Sequence, residues 1–202
     1  MKTIKEKKMN EVEIVFILDR SGSMGGLEKD TIGGYNSFIK NKKNLNAKLT
    51  TVLFDNEIEI LHDREDIKKV KPLTNKDYYV RGCTALMDAI GTSINRISKV
   101  AEGKKVIFVI TTDGLENASK EYNKKQIKKM IEERKDWEFM YLGANIDSYD
   151  EASSIGIRKE RVSNYKASSK GTRKMFQVLE CAVGCIANDE ELSEDWNKGL
   201  EC

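Results

Sequence analysis

The sequence predicts an α/β domain built on a mostly parallel sheet with one antiparallel edge. Three observations carry that expectation. Short runs rich in Val, Ile and Phe alternate with longer stretches of helical period, the pattern of a parallel sheet wound with crossover helices. Two of the runs, "EIVFIL" (13–18) and "KVIFVIT" (105–111), are nearly continuous in apolar residues, as strands covered on both faces are. Between "TVLF" and "EIEIL" (57–61) stands only Asp55-Asn56, too short for a crossover, so those two strands pair as an antiparallel hairpin.

The elements follow in order. The first strand, 13–18, leads into a helix whose apolar face is Leu27, Tyr35, Phe38 and Ile39. Gly33-Gly34 inside that helix lowers its propensity by about 1 kcal/mol per glycine, which points to close packing against the sheet. "AKLTTVLF" (47–54) and 57–61 form the hairpin, and 63–83, which holds the single proline Pro72, reads as loop with short helical turns. A strongly amphipathic helix carries Leu86, Ile90, Ile94, Ile97 and Ala101, and strand 105–111 follows it. Next come a helix over about 121–135 with Ile127, Met130 and Ile131, the strand "WEFMYLG" (137–143) and a helix over about 146–155. A weaker strand at "RVSNY" (161–165) precedes a last helix over 171–187 with Met175, Leu179, Ala182, Val183 and Ile186. Lysines 124, 125, 128 and 129 lie opposite an apolar stripe and read as a solvated face. This divides the chain into a basic extension at 1–10, a domain at 11–187 and an acidic tail at 188–202, for which partial order at best is expected.

Composition narrows the function. With 202 residues, 39% hydrophobic and 34% charged, the chain suits one domain with a sizeable core. Lys and Arg number 35 against 33 Asp and Glu, so no general charge draws it to nucleic acid, membrane or an acidic partner. The basic residues interleave with acids and no aromatic stacking series accompanies them, which also argues against nucleic acid. "MKTIKEKKMN" has no apolar core of a leader, and no run approaches the roughly 18 apolar residues of a membrane span. Cysteines 83, 181, 185 and 202 form no C-x-x-C pair and read as free thiols, so the expected location is the cytoplasm.

The chemistry concentrates where strands end. In "VFILDRSGSMGG" (15–26), Asp19-x-Ser21-x-Ser23 offers three oxygen donors from one loop, and alternate residues of an extended loop turn to one side. The same residues also suit a helix N-cap or tight turn. "TTDG" places Asp113 just after strand 105–111, where a turn or cap is again the plain alternative. "RGCTALMDAI" sets Thr84 before the amphipathic helix, a position that also suits an N-cap. In open α/β sheets ligands bind beyond the carboxyl ends of strands where strand order reverses, so Asp19 and Asp113 are expected to face one another there.

Asp19-x-Ser21-x-Ser23, Thr84 and Asp113, in this order and setting, resemble the metal-ion-dependent adhesion site of von Willebrand factor type A domains, with stand-alone intracellular prokaryotic members the nearest type. The resemblance implies a Rossmann-like open sheet of about six mostly parallel strands with one antiparallel edge strand and helices on both faces. It implies Mg²⁺ or Mn²⁺ at the top of the sheet, with Ser21 and Ser23 as direct ligands and Asp19, Thr84 and Asp113 binding directly or through water. Mg²⁺ takes six oxygens, hydroxyls add no formal charge, and an open position remains for an Asp or Glu of a partner protein. The expectation is therefore a cation-dependent protein-binding module and not an enzyme.

The rival readings fit less well. A magnesium-dependent phosphohydrolase of the haloacid dehalogenase type wants Asp-x-Asp, and here the third position is Ser21. "SGSMGG" matches neither G-x-G-x-x-G nor a P-loop. Ser21 as a nucleophile needs a base, and the only histidine, His62, is placed at the far end of the hairpin and read as solvated or capping. Cys181 and Cys185, one turn apart, are read as core packing. Cys83 is read as a small loop residue, and Asp88 and Glu116 either as capping or surface groups or as holders of water near the site.

Overall fold

The apolar runs become the strands of one sheet. In a computed structural model that describes residues 11–200, these are β1 (Val12–Asp19), β2 (Ala47–Phe54), β3 (Ile58–Asp66), β4 (Lys105–Thr112), β5 (Trp137–Gly143) and β6 (Val162–Asn164). The order across the sheet is β3-β2-β1-β4-β5-β6, with every pair parallel except β2 and β3. The helices are α1 (Glu28–Lys42), α2 (Leu86–Ser98), α3 (Lys124–Glu132), α4 (Ser148–Ser154) and α5 (Ser169–Ala187). The expected α/β class, with six strands and one antiparallel edge, is what the chain forms. The basic extension 1–10 lies outside the described residues.

Alternation along β1 assigns the helices to faces. Ile14, Phe16 and Leu18 join Tyr35 and Phe38 of α1 and Phe176 and Leu179 of α5 in one core. Val15 and Ile17 join Leu86 and Ile90 of α2, Ile127 of α3 and Ala152 of α4 in the other. Every residue of β1 is buried, as a central strand between two helical layers requires. Phe16 meets the rings of Tyr35, Phe38 and Phe176 at centroid distances of 5.6, 5.2 and 6.0 Å, tying α1 and α5 to the strand that ends in Asp19.

Several expectations change. The second hairpin strand runs to Asp66, so 63–66 belongs to β3 and not to the loop. Its sequence hides this because β3 is an edge strand, with polar residues along it, an irregular register opposite Thr51 and Arg64 at φ 50°. His62 is neither solvated nor a cap: it is buried in mid-β3, with Nδ1 3.3 Å from the Tyr35 hydroxyl. Helix α3 is shorter than expected because an Asn123–Gln126 capping box starts it at Lys124. Cys181 is exposed and Cys185 half-buried, so neither is a core residue. The acidic stretch after α5 is held to the body. Leu200 is buried, Trp196 Nε1 donates to the Glu160 carbonyl at 2.9 Å, Asn197 Nδ2 donates to the Val162 carbonyl at 3.3 Å, and Lys174 Nζ bonds the Gly199 carbonyl.

The two glycines of α1 separate. A Cβ on Gly34 would stand 2.1 Å from Phe176 Cδ2, so Gly34 lets α1 approach α5, not the sheet, whereas nothing lies within 4 Å of a Cβ on Gly33. Gly34→Ala is expected to destabilise by about 1–3 kcal/mol through overpacking, and Gly33→Ala to stabilise by about 0.5–1 kcal/mol as an open helical position. Urea midpoints of the two variants check this, and shifts of the same sign would contradict it.

Candidate metal centre

Asp19 closes β1 and Asp113 follows β4, the two adjacent parallel strands from which the strand order runs in opposite directions. The register sets Leu18 beside Thr111, which leaves Asp19 level with Thr112. There the Thr112 hydroxyl donates to Asp19 Oδ2 at 2.5 Å, while the Ser21 amide donates to Oδ1 at 2.7 Å. Asp19 thus does turn the chain, as the plain reading allowed. The serines do something else. Ser21 precedes a 3-10 turn (Gly22–Met24) yet its side chain makes no cap bond; its Oγ lies 3.1 Å from Ser23 Oγ. Ser23 Oγ in turn donates to Asp113 Oδ1 at 2.5 Å.

Thr84 arrives from the loop before α2. It is not the N-cap, a position taken by Ala85. Its backbone is pinned to the loop after β4, with the Thr84 amide donating to Asn117 Oδ1 at 2.9 Å and its carbonyl accepting the amides of Asn117 and Ala118 at 3.0 and 3.2 Å. The convergence is sharpest at Gly114: a Cβ built there would lie 2.9 Å from Thr84 Oγ1, 3.2 Å from Ser23 Oγ and 3.8 Å from Ser21 Oγ. Three hydroxyls from two distant loops therefore border one small volume, beside the carboxylate of Asp113.

The carboxylates are strained electrically. Both are buried, and burial pushes the Asp19 carboxyl up to about 6 against the hydrogen bonds from Ser21 and Thr112 that lower it, with the charge of Asp113 adding to the rise. Burial likewise raises Asp113, opposed by the bond from Ser23. Among the described residues Asp113 Oδ2 is buried without a hydrogen-bond partner, an unusual state for a carboxylate oxygen. An oxygen-only group of this kind, two acids with three hydroxyls, matches the donor chemistry of a hard divalent cation. Among the described residues no cluster of three or more His, Cys, Asp or Glu side chains is placed to hold a metal, so any ion held here must draw on the hydroxyls.

No protein-family model matches the chain, and no curated protein matches it by sequence. Solved structures do. The von Willebrand domain of the type V pilus tip protein Mfa5 from Porphyromonas gingivalis matches with a TM-score of 0.67 and 10% identity, covering 92% of this chain and 99% of that one. The fold is that of a von Willebrand factor type A domain. Proximal thread matrix protein 1 of the mussel byssus, in a structure with a zinc-occupied MIDAS motif, matches with a TM-score of 0.62 and 16% identity over 88% of this chain and 46% of that one. The manganese-loaded TRAP protein of Plasmodium vivax matches with a TM-score of 0.57 and 16% identity over 83% and 73%. The chain spans less than half the length of the mussel protein.

On this von Willebrand type A fold the five residues singled out in the sequence stand at the carboxyl edge of the sheet. Three further groups were not singled out. Thr112 lies inside the "TTDG" motif and orients Asp19. The Tyr78 hydroxyl donates to the Asp19 carbonyl at 2.5 Å from a segment with no periodic signal. Arg20, between two of the five, is wholly buried and bonded to Asp55. Asp88 and Glu116 prove to be loop organisers. Asp88 accepts the amides of Lys120, Glu121 and Tyr122 at 2.7–2.9 Å, and Glu116 accepts those of Met87, Ala118 and Ser119 at 2.8–2.9 Å. Cys83, next to Thr84, is exposed.

A raised carboxyl binds its proton more tightly folded than unfolded, so the folded state loses ground as pH climbs from the unfolded value of 3.8 to about 6. In EDTA, the stability of Asp19→Asn relative to wild type is therefore expected to increase between pH 4 and 6, by on the order of 3 kcal/mol, and to level off above. Urea titrations at four pH values read it, and a difference that stays flat would show that Asp19 carries no such burden.

Proposed function

We propose that the chain is a divalent-cation-dependent protein-binding module. Asp19, Ser21, Ser23, Thr84 and Asp113 hold Mg²⁺ or Mn²⁺, and the ion takes an Asp or Glu side chain from a partner protein. The observation that carries this reading is the partnerless buried Oδ2 of Asp113 beside three converging hydroxyls. Ser21, Ser23, Thr84 and Asp113 supply oxygens around the shared volume, and Asp19, both of whose oxygens already accept hydrogen bonds, holds the loop and adds charge. A bound divalent cation supplies an electrophilic position for one oxygen ligand from outside. Likeness in fold to structures described as zinc-occupied and manganese-loaded supports the choice of a divalent ion.

Binding is favoured over catalysis by what surrounds Ser21. Its hydroxyl contacts Ser23, and the sole histidine of the chain is buried in β3 against Tyr35 on α1, with burial lowering its pKa. Among the described residues no hydrogen bond joins Ser21 Oγ to a histidine that could act as its base.

At a hundredfold excess over Kd, Mg²⁺ or Mn²⁺ is expected to stabilise the fold by about 2.7 kcal/mol and to raise Tm by roughly 5–10 °C. EDTA reverses the rise, and Asp113→Ala and Asp19→Ala abolish it. Differential scanning calorimetry reads all of these, and a wild-type Tm indifferent to both ions would refute the metal. For the partner, affinity capture in Mg²⁺ and in EDTA is compared for wild type and Asp113→Ala. Retention should require both the ion and Asp113, and retention equal in all arms would refute the metal-bridged contact.

A further inference from the structure

The turn between β2 and β3 reads in the sequence as a simple reversal, yet Asp55 within it is fully buried and bonded on every side. Its Oδ2 accepts from Arg20 Nε and from Arg81 Nε, each at 2.8 Å, and its Oδ1 accepts the Glu57 amide at 2.8 Å. Its carbonyl accepts the Ala85 amide at 2.8 Å. These partners are neighbours of the site. Arg20 lies between Asp19 and Ser21, Ala85 follows Thr84, and Arg81 is three residues before Thr84. Burial works against the charge of Asp55, but the hydrogen bonds from Arg81, the Glu57 amide and Arg20 hold its carboxyl below the usual range, so it is an anion at neutral pH.

The two loops are stitched along their length. The Arg81 amide donates to the Arg20 carbonyl at 2.9 Å and the Gly22 amide to the Gly82 carbonyl at 3.2 Å. Gly82 lies at φ +65°, where a side chain is strained, and a Cβ there would also have to displace the Asn56 side chain of the same turn, whose Oδ1 would lie 1.9 Å away. Arg20 is immobilised further: Nη1 donates to Glu59 at 2.6 Å, and the Tyr79 ring centroid lies 5.6 Å from the Cζ of both Arg20 and Arg81.

We propose that Asp55 is the positioning residue of the metal centre: through Arg20 and Arg81 it fixes the loop bearing Asp19, Ser21 and Ser23 against the loop bearing Thr84, and so sets cation affinity without touching the ion. This rests on the cation reading above. Neutral hydroxyls grip a hard cation weakly one by one, so affinity depends on how well they are held in register. Groups that orient ligands from behind typically govern affinity by 10–100-fold.

The test measures the Mn²⁺ Kd by electron paramagnetic resonance and Tm in EDTA for wild type, Asp55→Asn and Arg81→Ala. Asp55→Asn keeps the size and the Oδ1 acceptor but faces the two arginines without charge. It is expected to weaken Mn²⁺ binding by about tenfold or more, with Arg81→Ala, at a partly exposed residue, weakening it in the same direction. A purely structural Asp55 would lower Tm in EDTA and leave the Kd of the folded protein unchanged, and that result would overturn the proposal. Should Asp55→Asn not fold, Arg81→Ala decides alone, and a wild-type Kd there overturns the proposal as well. If wild type itself binds no Mn²⁺, the metal reading falls and this inference falls with it.

Discussion

Two carboxylates buried side by side at the ends of adjoining central strands impose the main constraint on this molecule. Asp19 and Asp113 are removed from water, burial raises both carboxyls, and the charge of Asp113 adds to the rise at Asp19. A buried charge is tolerated only where donors meet it. The nearby donors are accordingly committed: the Ser21 amide and Thr112 hydroxyl to Asp19, and the Ser23 hydroxyl to one oxygen of Asp113. The remaining oxygen of Asp113 receives no hydrogen bond from the described residues. A buried carboxylate oxygen is thus left without a donor at the place where three hydroxyl oxygens converge.

Holding that arrangement requires a scaffold that does not yield. The strand bearing Asp19 is clamped between helices on both faces, with Phe16 at the centre of an aromatic cluster that joins α1 and α5 to it. The contact of Gly34 with Phe176 shows how closely those helices meet. On the other face, Asp88 and Glu116 bind the loop after β4 to the start of α2, which ties the segment bearing Thr84 to the one bearing Asp113. Asp55 performs the equivalent task between the first loop and the approach to Thr84. Asp19 ends a strand and the other four residues lie on loops, each loop anchored within about a turn of them.

The positions in the fold of the five residues proposed to hold the cation are legible because strands and glycine-rich loops leave strong local marks. Asp19 and Asp113 end apolar runs, Ser21 and Ser23 alternate with glycine, and Thr84 precedes an unmistakable amphipathic helix. The edge of the sheet was less legible. The strand β3 has polar residues facing solvent and an irregular register, so "DRED" does not announce itself as strand, and His62 was misplaced with it. The support around the site was not legible at all. Tyr78, Asp55 and Arg81 act through side-chain hydrogen bonds that span 26–59 residues of sequence, and no periodicity encodes such a bond. Asp88 and Glu116 were visible as acids near the site, but only the structure shows that their oxygens are occupied by backbone amides.

The choice of hydroxyls over further acids bears on what such a site accepts. Two aspartates at most balance a divalent charge, and Ser21, Ser23 and Thr84 add oxygen without adding negative charge. Replacing the hydroxyls with carboxylates would strengthen the grip on a cation, yet it would also repel an approaching acid and deepen the desolvation that already raises Asp19 and Asp113. A neutral remainder leaves the ion's field directed outward. On the reading proposed here, an acidic side chain from another protein meets an attractive charge at close range, and the weakness of each hydroxyl as a ligand makes the rigid backing of the loops the determinant of affinity. The Arg20–Asp55–Arg81 group, with Arg20 and Asp55 buried and Arg81 partly exposed, is then part of the binding apparatus through the loops that it joins.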